Sequence, residues 1–308
     1  MLTSSSKGKI CALVLLSVYI LAGVTILSTV TNHQQGSTTR KHLVSGRARA
    51  FDFSPSIRES SRRRKVRWCQ PLRFLNDNNR PTIALASFPG SGNTWLRYLI
   101  QQATGINTGS VYKDFGLLKN GFPGEYVVDT SVVVVKTHEK GPAAHRGFNK
   151  AVLLVRDPMQ AIQAEFNRQG GGHIGFASPD RYRIKKGKYW EKFVHEQTMK
   201  WRDTNLDWTY NFTNPTLVLF YDQLITDLER NLRLLLKFIE VNVTESQLQC
   251  ALERREGIYR RKKRMINVDP FTPQMKARIE TTKREVYALI HDYIDNENNK
   301  NENEVTER

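Results

Sequence analysis

The stretch that most constrains this 308-residue chain runs from Thr82 to Ile100: a short apolar run, a glycine turn and the opening of a helix. Thr82-Ile-Ala-Leu-Ala86 reads as a buried strand, and Trp95, Leu96, Leu99 and Ile100 share one face of a helix. Between them lie Pro89, Gly90, Ser91, Gly92, Asn93 and Thr94. Glycine lets the backbone turn its N–H groups toward a ligand, and a helix start adds its positive end. Strand, turn and helix together predict a cradle for an oxyanion, most often phosphate. The nucleoside-triphosphate loop GxxxxGK[ST] needs a lysine after its second glycine; Asn93 stands there instead.

The N-terminus predicts a compartment. Ile10 to Val30 is 21 residues without a charge, long enough at 1.5 Å per residue to span a bilayer core of roughly 30 Å. A cleaved signal peptide has a shorter apolar region, about 7–15 residues. Lys7 and Lys9 precede the run and no Lys or Arg follows until Arg40, so the positive-inside rule leaves residues 1–9 cytosolic and the bulk lumenal. Residues 31–68 are polar and basic, without sustained apolar periodicity, and read as a stem. Of the net charge of +17, residues 1–68 carry 12 Lys/Arg against 2 Asp/Glu, and the remainder 35 against 28. Much of the basicity therefore belongs to the stem, which argues against a nucleic-acid partner. The excess in the folded part favours an anionic ligand.

Cys11 falls inside the predicted span, whereas Cys69 and Cys250 fall in the lumenal part, where thiols tend to oxidise. They are candidates for one disulfide, although sequence alone does not bring them together. No Cys/His spacing suggests a metal. Asn211-Phe-Thr and Asn242-Val-Thr are glycosylation sequons that suit a lumenal domain.

Beyond the cradle, strand-like and helix-like stretches alternate. Ser131–Val135, Ala151–Val155 and Thr216–Phe220 read as buried parallel strands; Pro158–Arg168, Tyr189–Trp208, Leu228–Ile239 and Pro273–Tyr293 read as helices. The pattern predicts an α/β domain over 69–294, a parallel sheet flanked by helices, followed by a polar, disordered tail over 295–308. In such sheets ligands bind at the carboxyl ends of strands. Three strand exits carry suitable residues: the cradle, Lys136-Thr137-His138, and Arg156-Asp157. Each alone could be a turn cap or a structural ion pair; together they point to one site.

These residues resemble the sulfotransferases that use 3′-phosphoadenosine 5′-phosphosulfate (PAPS). The resemblance covers roughly Thr82 to Tyr293. That family's loop YPKSGTTW is similar to Phe88-Pro-Gly-Ser-Gly-Asn-Thr-Trp95, and its VKTH to Val135-Lys136-Thr137-His138. Its 3′-phosphate arginine resembles Arg156, its Tyr-Asp/Glu pair Tyr221-Asp222, and its late basic cluster Arg260–Arg264 ahead of Phe271-Thr272. The wording SFPGSGNTWLR and LLVRDP after a signal anchor is similar to the WSC-domain sulfotransferase-like (WSCD) proteins, better known for sialate O-sulfotransferases. No cysteine-rich WSC segment is present in this chain.

The resemblance implies a P-loop-like sulfotransferase fold behind an N-terminal transmembrane helix, in a type II Golgi membrane protein. The implied reaction moves a sulfuryl group from PAPS to a hydroxyl of a glycan or glycoprotein, with sialic acid among the acceptors. His138 is then the catalytic base and Lys136 a second catalytic residue. Pro89 to Trp95, with Arg156, Tyr221, Arg260 and Arg261, bind the cofactor, and no metal is required. Trp95 is either a stack for adenine or a core tryptophan. Two departures stand out: the family's loop lysine aligns with Gly90, and a cofactor-contacting serine aligns with Ala164. They keep a second expectation alive, a catalytically inactive lumenal binder of the same fold. A nucleotide-dependent kinase using the same cradle is disfavoured by the missing Walker lysine.

Overall fold

Ile83, Ala84, Leu85 and Ala86 are buried on both faces, so the strand they form must be covered by helices on either side. This strand, β1 (Ile83–Ser87), is central to a five-stranded parallel sheet ordered β2-β3-β1-β4-β5. The others are β2 (Gly109–Ser110), β3 (Val135–Thr137), β4 (Lys150–Val155) and β5 (Thr216–Phe220). In the computed structural model, residues 66–77, 79–259 and 269–306 are described. The predicted span Ile10–Val30, the stem up to Lys65 and Arg260–Arg264 lie outside them. No helix among the described residues is long and apolar enough to cross a membrane.

The helices are α1 (Asn93–Thr104), α2 (Phe115–Lys119), α3 (Pro142–His145), α4 (Pro158–Gly171), α5 (Pro179–Arg183), α6 (Lys188–Leu206), α7 (Tyr221–Thr226), α8 (Leu228–Phe238), α9 (Glu245–Glu253) and α10 (Pro273–Thr306). One face of the sheet packs against α1, α8 and α9, through Leu96, Leu99, Leu232, Leu235 and Leu248. The other packs against α4, α6 and α10, through Ile162, Phe166, Trp201, Val286 and Ile290. Local signals set the ends. Gly105 closes α1 in the left-handed region with its N–H on Gln101 O. Asp157 caps α4 ahead of Pro158, and Thr244 with Gln247 forms a capping box on α9. The chain fills the β3 side of β1 before crossing to β4, so a crevice opens above the carboxyl end of β1.

Three expectations change. Ser131–Val134 is not part of a strand: Ser131 turns on the Asp129 carboxylate, and Val133 N–H donates to Asn107 O. Val132 to Val134 are buried, but β2 offers only two residues of partner, so the ladder begins at Val135. Lys136 and Thr137 therefore lie within β3, and His138 is the first residue beyond it. The helix expected over Tyr189–Trp208 gives way at Asp207–Asn211 to a wider turn. The tail expected to be disordered after Asp295 continues α10 to Thr306. Its first turns are anchored by Ile279, Val286 and Ile290, and propagating an existing helix is far easier than nucleating one. Cys69 and Cys250 are joined by a disulfide, Cα atoms 6.0 Å apart, which ties the segment before β1 to α9.

Candidate active site

The cradle forms because its two glycines are required twice over. Gly90 and Gly92 both adopt positive φ, 84° and 101°. A Cβ on Gly92 would lie 2.7 Å from the Tyr221 ring, and one on Gly90 only 2.4 Å from Ala161 O and 2.9 Å from Glu165 N in α4. The two departures from the sulfotransferase pattern thus touch one another: the same Cβ would lie 3.2 Å from Ala164 Cβ. Gly92 caps α1, and Leu96 N–H makes the first helical bond to its carbonyl. The N–H groups of Asn93, Thr94 and Trp95 precede that bond and have no partner within the helix, leaving them for an anion. Among the described residues, Ser91 Oγ and Arg156 Nε are buried in this region without a hydrogen-bond partner.

Arg156, one residue past β4, holds the loop by donating from one terminal nitrogen to Gly90 O at 2.9 Å. Its guanidinium stacks over Tyr221, 4.2 Å from the ring centroid. Burial lowers its pKa, a penalty that an anion would relieve. Tyr221 follows β5 and packs edge-on against Trp95. Trp95 packs against the core through its ring, donates from Nε1 to Arg255 O at 2.7 Å, and borders the cavity. Arg260 and Arg261 lie outside the described residues.

At the neighbouring exit, His138 Nδ1 lies 2.8 Å from Ser87 O. A carbonyl can only accept, so Nδ1 carries the proton and Nε2 the lone pair. Burial, and then the Lys136 charge, lower the His138 pKa to about 3; the ring is neutral at physiological pH. Lys136 is 7% exposed, and its ammonium lies 5.5 Å above the Tyr112 ring. Burial and the Arg97 guanidinium lower its pKa to about 8. Arg97 is itself spent on a buried pair with Glu125 at 2.5 Å.

Several lining residues escaped the sequence reading. Tyr112 OH accepts from His138 N–H at 3.0 Å and donates to Glu139, and its ring stacks on His138. Arg168 is paired with Glu165 through both carboxylate oxygens, and Asp114 meets His173 at 2.6 Å. Tyr112 follows the two-residue β2, too short to give a strand signal; the Asp114–His173 pair joins distant segments. The cavity they share measures about 1300 Å³, larger than the 300–1,000 Å³ typical of a pocket for one small ligand. It can hold an anion on the cradle while Nε2 of a neutral imidazole takes a proton from a hydroxyl beside it. Both sequon asparagines, Asn211 and Asn242, are exposed, and the Asn211 amide donates to Asp207 Oδ1.

No family model matches the chain. It is 47% identical over 296 residues to WSCD family member CG9164 of Drosophila melanogaster, covering 88% of this chain and 93% of that one. It is 53% identical over 249 residues to WSCD family member AAEL009094 of Aedes aegypti, covering 73% and 78%. Among solved structures, mouse sulfotransferase SULT7A1 complexed with PAP has 18% identity and a TM-score of 0.44, over 68% of this chain and 86% of that one. Retinol dehydratase in complex with androsterone and inactive cofactor PAP has 16% identity and a TM-score of 0.44, over 67% and 81%.

Proposed function

The chain belongs to the WSCD family, and from the cavity we propose that it is a sulfotransferase, moving a sulfuryl group from PAPS to a hydroxyl of a glycan. One observation carries the reading: a glycine cradle, a buried cation, a neutral imidazole with Nε2 as its acceptor nitrogen, and an arginine with an unpartnered Nε meet at adjacent strand exits. The unpartnered Ser91 Oγ and Arg156 Nε, and a volume beyond one small ligand, fit a nucleotide beside an acceptor. PAPS supplies an activated sulfuryl group. The N–H groups at the start of α1 and Lys136 hold the anionic end, and Arg156 binds the 3′-phosphate, a contact for which a guanidinium fork is well shaped. His138 accepts the acceptor hydroxyl's proton at Nε2, while Ser87 O keeps Nδ1–H in place. Negative charge brought to the cradle offsets Lys136 and raises the His138 pKa, so the base strengthens when the site is loaded.

The proposed setting is the Golgi lumen, with Ile10–Val30 as a type II anchor. A second reading rests on Gly90: backbone of α4 occupies the space a loop lysine would need, which favours a non-catalytic binder. One pair of measurements separates the two. Adenosine 3′,5′-bisphosphate at a hundredfold its Kd should stabilise the protein by about 2.7 kcal/mol, and AMP much less. Labelled sulfate should then pass from PAPS to desialylated or sialylated glycoprotein. Binding without transfer selects the binder, and neither result rejects both.

A further inference from the structure

Asn93 opens α1 where the cradle meets the helix, yet its side chain does not face an anion on the loop. It is 4% exposed and folds back beneath the turn. Nδ2 donates to Leu85 O at 2.9 Å and to Ser87 Oγ at 3.1 Å. Leu85 O can only accept, so the amide must present Nδ2 there, which leaves Oδ1 buried without a partner among the described residues. The two donated bonds must outweigh that loss. Ser87, the residue Asn93 grips, is also the residue that holds the imidazole: its carbonyl lies 2.8 Å from His138 Nδ1 and its Oγ 3.3 Å. The β1–β3 ladder ends at Ala86 and Thr137, one residue short of both Ser87 and His138. Beyond that point no β1–β3 pairing sets their separation: the Ser87 backbone is still registered on Leu154 of β4, and its side chain is gripped by Asn93.

We propose that Asn93 is a positioning residue: by anchoring Ser87 it fixes the tautomer and direction of His138, coupling the anion cradle to the proton acceptor. Its backbone N–H serves the cradle while its side chain serves the base. The catalytic part of this inference rests on the sulfotransferase reading; the positioning part does not.

The test uses the full chain with histidines labelled in the ring nitrogens, without donor. Wild-type His138 should show the Nδ1–H tautomer and stay neutral through pH 5. Asn93→Ala should give a tautomer mixture and a His138 pKa moved toward the ordinary 6.5. Ser87→Ala should do the same in part, and the double variant should be no worse than Asn93→Ala, as expected of residues acting in series. In sulfate transfer, Asn93→Ala should lower kcat roughly 10–100-fold and move the acid limb of its pH profile upward. Bisphosphate Kd should change by less than about threefold. An unchanged tautomer and pKa in Asn93→Ala overturns the proposal, as does a loss of bisphosphate affinity as large as the loss of kcat. Should Asn93→Ala not fold, Ser87→Ala decides through the same spectra. Should the wild type transfer no sulfate, the sulfotransferase reading fails while the spectra still decide the positioning role.

Discussion

Substituting Gly90 tests how tightly α4 is packed on the cradle. At φ +84° any side chain incurs the left-handed penalty, about 1–2 kcal/mol. The added Cβ would also lie 2.4 Å from Ala161 O and 2.9 Å from Glu165 N, both backbone atoms of a capped helix that cannot yield locally. Overpacking of that kind adds about 1–3 kcal/mol. Gly90→Ala should therefore destabilise the protein by about 2–5 kcal/mol, lowering Tm by roughly 5–15 °C for a domain of this size. Gly147 supplies the control, because it has φ +86° and a Cβ there would meet nothing within 4 Å. Gly147→Ala should cost only the backbone term, about 1–2 kcal/mol. Denaturant unfolding of both variants isolates the crowding as their difference. Equal losses in the two variants would refute the argument. Gly90→Lys, which restores the lysine of the resembling loop, should be at least as destabilised and gain no turnover. A stable, faster Gly90→Lys would show that the loop and α4 separate readily.

Lys136 gives a pH dependence. Its pKa of about 8 in the folded protein makes it charged below that pH, so bisphosphate affinity should be flat to pH 8 and fall above it, up to the higher pKa of the bound state. Titration calorimetry across pH 7–10 measures this, and Lys136→Arg should remove the decline; a flat wild-type profile argues against Lys136 as an anion contact. Between pH 8 and the ordinary 10.5, the unfolded chain binds the proton more tightly, so stability of the ligand-free protein should rise with pH there. Arg156→Met removes a charged contact worth about 1.5–3 kcal/mol, so bisphosphate affinity should fall roughly 10–150-fold, and AMP, which loses only the support of the loop at Gly90 O, should weaken less. Cys250→Ser opens the link between residues 69 and 250 and should cost about 2–5 kcal/mol in unfolding experiments. Asn242→Gln should abolish more of any glycosidase-sensitive gel shift than Asn211→Gln, because the Asn211 amide is engaged by Asp207.

Much of this protein was legible in its sequence because the information is local. The run Ile83–Ala86, the glycines after it and the start of α1 are contiguous, so one window of residues carries strand, turn and helix together. The same holds for His138 and Arg156, each placed by the strand it follows, and for the capped helix α4. Apolar periodicity misjudged Ser131–Val134, because it reports burial, and a ladder also needs a partner strand. It misjudged the end of α10 for the converse reason: polar residues remain helical when earlier turns are anchored. Tertiary structure alone decided the contacts between distant segments. Among them are the α4 backbone against Gly90, Tyr221 against Gly92, Tyr112 beneath His138, and His138 reaching Ser87 O. A side chain's type records what it can donate or accept. Which donor meets which acceptor is settled only when the sheet brings separate strand exits within a hydrogen bond of each other.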